Sequence, residues 1–238
     1  MAPSRLAMDI EPLGEDALLL RFGDGPDATV NTRVHAVARR ITALEPPWLR
    51  DIVPAYASLA LFIDFEAFPS TADPLEATTR WLRQQALDGD DAGMCTPRMV
   101  EIPVLYGGVD GPDLEAVAAH AGMSTADVIE RHAAGGYAVA MLGFAPGFPY
   151  LLGLDPALAI PRLQTPRTHV AAGSVGIGGA QTGIYPRELP GGWNLIGRTP
   201  LALFDPGRDP PCLLAPADRV RFRAIDAGEF ARLAERRA

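Results

Sequence analysis

The chain contains no lysine. All 21 cationic side chains among its 238 residues are arginines. Without an ε-ammonium group there can be no Walker A phosphate loop, no Schiff-base catalysis and no Ser-Ser-Lys chemistry of the amidase-signature kind, because each uses that group itself. Cysteine is nearly as scarce. Cys95 and Cys212 stand far apart with no paired spacing, which reads as two reduced, structural thiols and not as a metal, redox or disulfide pair. Of the four histidines, His35, His120, His132 and His169, no two have helical ligand spacing, which argues against a His-based metal site. No apolar run approaches the roughly 20 residues of a bilayer helix. The start, Met1-Ala2-Pro3-Ser4-Arg5, lacks the apolar core of a signal peptide, so a cytoplasmic protein is expected. A net charge of -8 and scattered arginines argue against a nucleic acid or an anionic membrane as the partner, since phosphate neutralisation needs clustered cations.

What remains is ordinary in bulk, with 48% hydrophobic and 21% charged residues, and the length allows one large domain or two small ones. Ala17 to Phe22 reads as a strand, and Val30, Val34, Val37, Ile41 and Leu44 recur at helical spacing, predicting a helix over Thr29 to Leu44 that Glu45-Pro46-Pro47 stops. Leu59, Leu61, Ile63 and Phe65 alternate with less apolar neighbours as a strand does. Asp73-Pro74 caps a second helix carrying Leu75, Trp81 and Leu82. The order strand, strand, helix, strand, strand, helix predicts a small α+β layer with helices on one face of a sheet. Asp88-Gly89-Asp90-Asp91-Ala92-Gly93 reads as a linker, dividing the chain into 1–92 and 93–238. Beyond it come a strand through Val100, Ile102 and Val104, a helix from Asp113 to Ala121, and a helix begun by a Ser124/Asp127 capping box and ended near Gly135-Gly136. His132, at that helix end, reads as a favourable C-terminal cation. After Tyr137 the helical period disappears; short strands between Gly and Pro turns, ending in Val220, Phe222 and Ala224, predict a barrel or sandwich.

From 143 to 204 Gly, Pro, aromatics and Arg crowd out core patterning. The phrases Gly143-Phe144-Ala145-Pro146-Gly147-Phe148-Pro149-Tyr150-Leu151, Ala172-Gly173-Ser174-Val175-Gly176-Ile177-Gly178-Gly179-Ala180-Gln181-Thr182-Gly183-Ile184-Tyr185-Pro186 and Pro190-Gly191-Gly192-Trp193-Asn194-Leu195-Ile196-Gly197-Arg198-Thr199-Pro200 are together highly specific. They resemble the 5-oxoprolinase B-subunit family, whose members also carry the labels allophanate hydrolase subunit 1 and sporulation-kinase inhibitor. The resemblance covers roughly Val100 to Phe222; before that only the layout is similar. It implies a cyclophilin-like β-barrel after the N-terminal α+β domain. One departure is Pro216-Ala217-Asp218, where the family usually has Gly in the middle; a shifted turn with unchanged function is expected.

Several residues within this 143–204 run are chemically suited to a site. Arg162 and Arg167 each follow a proline, so two forked cations sit on stiff extended backbone, suited to a carboxylate or phosphate. Their spacing alone favours pairing with Asp155 or Glu188; the resemblance turns the expectation toward substrate. His169 lies beside Arg167, whose charge would keep it neutral and able to accept a proton. Gly173 to Gly179 matches neither phosphate-loop pattern, and Ser174 is one residue short of a nucleophile elbow with no helix following, so no covalent serine step is expected. These glycines would let two strands cross closely or leave N–H groups for an oxyanion, with Ser174 as a substrate contact. Gln181, Tyr185 and Trp193 suit an amide-containing ring, and equally suit a ligand-free barrel wall. Phe144, Phe148 and Tyr150 either plug the barrel or line a pocket at a subunit junction.

The resemblance implies one component of an ATP-dependent 5-oxoprolinase complex opening the lactam of 5-oxo-L-proline to L-glutamate. His169, Gln181 and Tyr185 are then the catalytic candidates, and Arg162, Arg167, Ser174, Trp193 and Phe148 the substrate-binding ones. It also implies ATP with Mg, held with or by partner subunits, and as partners a homologue of the 5-oxoprolinase C-subunit and a separate A-subunit. Two other functions stay open: an inhibitor of a sensor histidine kinase, and an accessory component in urea or allophanate metabolism. The absence of lysine excludes a self-sufficient allophanate hydrolase.

Overall fold

The computed structural model describes residues 8–85 and 97–235, and the chain divides into two compact units, 1–96 and 97–238. The acidic linker expected at Asp88 to Gly93 lies outside the described residues.

The N-terminal unit has the expected order: β1 (Asp9–Pro12), β2 (Ala17–Arg21), α1 (Ala28–Ala43), β3 (Leu49–Pro54), β4 (Ser58–Ile63) and α2 (Pro74–Gln84). The strands form one antiparallel sheet ordered β1-β2-β4-β3. On one face of it Leu18, Leu20, Leu59, Leu61 and Ile63 pack against Val34, Val37 and Ile41 of α1 and Leu82 of α2. Both helices start where side chains satisfy their first free N–H groups: Asp27 accepts from Val30 N, and Asp73, before Pro74, accepts from Leu75 N and Glu76 N.

The C-terminal unit runs β5 (Met99–Tyr106), α3 (Leu114–Ala121), α4 (Thr125–Ala134), β6 (Tyr137–Leu142), β7 (Pro149–Leu152), β8 (Arg167–Val170), β9 (Ser174–Gly178), β10 (Gln181–Ile184), β11 (Leu189–Gly191), β12 (Asn194–Arg198), β13 (Arg219–Ala224) and α5 (Ala227–Glu235). Seven strands close a barrel in the order β10-β7-β6-β13-β5-β12-β9, and β8 and β11 form a separate two-stranded ribbon. Its first and last strands, β5 and β13, pair in parallel from Met99↔Arg219 to Val104↔Ala224.

Strand alternation decides what faces inward. Ile102, Val104, Val139, Leu151, Val175, Ile177, Ile184, Ile196, Val220 and Phe222 fill the interior. The capping box of α4 forms as expected, with the Ser124 hydroxyl accepting from Asp127 N. The disappearance of helical period after Tyr137 does not hold to the end: α5 follows β13, opened by Asp226, whose carboxylate accepts from Glu229 N at 2.7 Å. The unusual turn before β13 puts Ala217 at φ +72°, a conformation that favours glycine.

His132 is corrected most sharply. It is no surface cation but is completely buried, sharing the inward face of α4 with Val128 one turn earlier. Its Nδ1 lies 2.7 Å from the Tyr106 hydroxyl and its Nε2 3.0 Å from Thr182 Oγ1, which in turn donates to Gly176 O at 3.0 Å. That chain assigns the proton to Nε2 and makes Nδ1 the acceptor. Desolvation lowers the His132 pKa to about 3, so the ring is neutral.

Candidate functional site

The aromatic phrases meet on the outer face of the barrel. On β9, Val175 and Ile177 point inward while Gly176 and Gly178 face outward; on β10, Thr182 and Ile184 are interior and Gly183 outward. The outward glycines form a slot for the Trp193 indole. A Cβ at Gly178 would stand 2.7 Å from that ring, and one at Gly183 would stand 2.8 Å from Pro149 O and 3.0 Å from the ring. Around the indole gather Phe148, Tyr185, Leu195, Ala145 and Val170, with Tyr150 and Leu189 at the margin. Phe148 is the hub, edge-on to Tyr185 (5.4 Å between centroids) and to Trp193 (5.6 Å).

Beside this cluster opens a cleft of about 280 Å³ lined by aromatics, Leu163, Pro166, Pro190, Gly191, Gly192 and Arg162. The Arg162 guanidinium lies 5.5 Å over the Trp193 ring, a cation–π contact, and its side chain is exposed to the cleft. Tyr185 is buried against Gly191, where any Cβ would lie 2.2 Å from the phenol oxygen. Burial raises the Tyr185 pKa; a hydrogen bond from the Trp193 backbone and the charges of Arg162 and Arg167 oppose that rise. The phenol is therefore protonated at neutral pH. Since Trp193 N–H donates to its oxygen, the phenol O–H can donate to a ligand.

Four of the eight expected residues thus converge: Phe148, Arg162, Tyr185 and Trp193. The other four do not line the cleft. Arg167 points into an internal pair, its Nη2 donating to Asp113 Oδ1 at 2.7 Å, and Asp113 Oδ2 accepts from Leu195 N at 2.7 Å. Its Nη1 is enclosed without a partner among the described residues. His169 bonds Glu188 at 3.0 Å with side chains 77% and 68% exposed, so its neighbour is a carboxylate in solvent and not the Arg167 charge. Asp155 pairs with Arg131, not with either expected arginine. Ser174 is buried within β9, and Gln181 opens β10 opposite Gly178. The glycine run makes no oxyanion cradle. Gly173 N donates to Tyr185 O and Gly179 N to Ile160 O, both at 2.7 Å, so those N–H groups are already satisfied.

Phe148 is buried yet does not plug the barrel, because β7 turns Leu151 inward and Phe148 and Tyr150 outward. Leu163, Pro166, Pro190 and Gly192 escaped sequence reasoning as site residues; their Pro and Gly content signalled turns without signalling which turns meet. Among the described residues no helix is long and apolar enough to cross a membrane.

Comparison with known proteins adds a family. The model of the carboxyltransferase domain, subdomain C and D, matches residues 8–214. A protein of Bacillus subtilis (strain 168), named as the B-subunit of 5-oxoprolinase, is 44% identical over 93% of this chain and 94% of its own length. One of the same name from Escherichia coli O157:H7 is 43% identical over 88% of this chain and 93% of its own. Among solved structures, TTHA0988 matches with a TM-score of 0.75 at 41% identity, covering 89% of this chain; this chain spans 40% of that one. The urea amidolyase of K. lactis matches with a TM-score of 0.71 at 20% identity over 96% of this chain and 15% of its own, a likeness of fold.

Proposed function

Because this chain belongs to the carboxyltransferase-domain (subdomain C and D) family, among relatives named as B-subunits of 5-oxoprolinase, we propose that it is one component of a multisubunit 5-oxoprolinase. Its reaction on this reading is the ATP-dependent opening of the 5-oxo-L-proline lactam to L-glutamate, in the cytoplasm. The reading takes the barrel to be cyclophilin-like, as the motif resemblance implies. The observation that carries it is the outer cleft, where one guanidinium, one protonated phenol and a wall of aromatic rings meet.

That set matches the substrate group by group. Ligand sites commonly occupy roughly 300–1,000 Å³, and at about 280 Å³ the cleft fits a molecule the size of one amino acid. Arg162 would take the carboxylate through two parallel hydrogen bonds. The flat ring would lie against Trp193 and Phe148, and Tyr185 O–H would donate to the lactam carbonyl, where negative charge develops as the amide is attacked. Arg167 and Asp113 act at one remove: their ion pair fixes Leu195, which packs in the same cluster as Trp193.

ATP does not fit this cleft. Among the described residues the only cation lining it is Arg162, Arg167 is committed to Asp113, and Gly173 and Gly179 have no N–H to give a phosphate. We therefore assign nucleotide and Mg to the partners, a homologue of the 5-oxoprolinase C-subunit and a separate A-subunit. The test is reconstitution with both partners. Arg162→Ala is expected to raise the KM for 5-oxo-L-proline by about a hundredfold, the loss of a charge-assisted pair of roughly 3 kcal/mol. An unchanged KM would remove Arg162 and its cleft from substrate binding.

A further inference from the structure

One residue of the cleft is held in a backbone conformation that its own side chain opposes. Phe144 has φ +66°, in the left-handed region that a bulky aromatic rarely enters. The conformation is not slack. Ala145 N–H donates to Gly143 O at 2.7 Å, closing a γ-turn about Phe144 of the rarer, positive-φ kind. Phe148 N–H donates to Ala145 O and Gly143 N–H to Phe148 O, tying both ends of the turn between β6 and β7. Glycine would take this conformation without opposition, as it does three residues on at Gly147, φ +80°. The ring contributes little to the core, being 62% exposed. It stands edge-on to Phe148 at 5.4 Å and 80°, at the mouth of the cleft that Phe148 backs. Strain kept at an exposed, site-facing ring calls for a use of the ring itself.

We propose that Phe144 is a substrate contact, covering the face of a small planar lactam acid opposite Trp193 and closing the cleft over it. This rests on the reading of the cleft as the 5-oxo-L-proline site and adds the residue that selects a flat, unsubstituted ring. Phe148 and Trp193 are buried in the cleft wall, whereas the γ-turn holds the exposed Phe144 ring and presents it with few rotatable bonds.

The experiment is equilibrium dialysis of 5-oxo-L-proline against the complex assembled with its partners, without nucleotide, for wild type, Phe144→Gly and Phe144→Leu. Melting of each chain is measured in parallel. The expected result is binding weaker by about tenfold in the Gly variant, with Leu between, while the Gly variant melts no lower than wild type. Binding within about twofold of wild type in the Gly variant would overturn the Phe144 role and leave the cleft assignment standing. A lower melting point with unchanged binding would make the ring a stability element, and failure of the Gly variant to assemble would make it a contact between subunits; either overturns the proposal. No binding by the wild-type complex would overturn the substrate reading, and this inference with it.

Discussion

Two groupings of rings with polar tips lie back to back across the same barrel wall. Inside, His132, Tyr106, Tyr137 and Phe222 pack with Thr182; outside, Phe148, Tyr150, Tyr185 and Trp193 pack with Arg162. Both mix aromatic area with hydrogen-bonding groups, yet they differ in what those groups meet. The inner set closes on itself: Tyr106 to His132 to Thr182 to Gly176 O, with the Tyr137 hydroxyl on His132 O. The outer set leaves a guanidinium and a phenol facing a cleft. Residue type alone therefore does not mark a site. What marks it is donors and charge that the fold has not used up.

The largest expected effect separates the two groupings by stability. His132→Ala removes a fully buried ring, strands the Tyr106 hydroxyl and takes from Thr182 the bond it accepts, and should cost about 3 kcal/mol in urea unfolding. Ligand binding in the outer cleft, measured where the variant is still folded, should stay near wild type; a collapse of binding would show that the two sets are one.

Acid gives the next effect. His132 has a folded pKa near 3 against an ordinary value of 6.5, so below 6.5 the unfolded chain takes up a proton that the folded chain refuses. Stability is thus complete above about pH 6.5 and falls as pH drops toward 3, by up to about 1.4 kcal/mol per unit. Carboxylates add their own acid dependence, so the measurement is wild type minus His132→Gln between pH 7 and 4.5. That difference should shrink as pH falls.

Ala217→Gly comes third. It relieves a left-handed alanine before β13 and should raise stability by about 1 kcal/mol, read as a higher melting temperature with turnover unchanged. Smallest is the thermal effect of Arg162→Ala: the side chain is exposed and its contact is with a ring face, so melting should move by no more than about 0.5 kcal/mol while substrate affinity falls. A large loss of stability would place Arg162 with the inner, structural set.

The helices of the N-terminal unit were readable because each carries an apolar period with a stopping or capping residue, Pro46 after α1 and Asp73 before α2. The closed barrel was readable only as many short strands, since closure depends on pairing between β5 and β13, which no local signal encodes. His132 was legible in retrospect, four residues after Val128 on one helical face, but its place near a helix end pointed to solvent. α5 was hidden by Gly228 in its first turn, although Asp226 and Glu229 form a start signal. In the cleft, the glycine- and proline-rich run supplied Phe148, Arg162, Tyr185 and Trp193, yet it equally supplied Arg167, Ser174, Gln181 and His169: Arg167 is taken up by Asp113, His169 stands in solvent with Glu188, and Ser174 is buried in β9, none of which membership of the run reveals. The departure at Ala217 was visible in the sequence, and the backbone there takes a glycine-type conformation with alanine in it.

The parallel seam between β5 and β13 also orders events at the ribosome. β5 is synthesised long before the strand that completes it, so until Arg219 to Ala224 emerge its open side is a template for any other extended segment. A nascent chain stalled anywhere in the motif-rich middle would expose that seam. Only when β13 is made does that edge disappear.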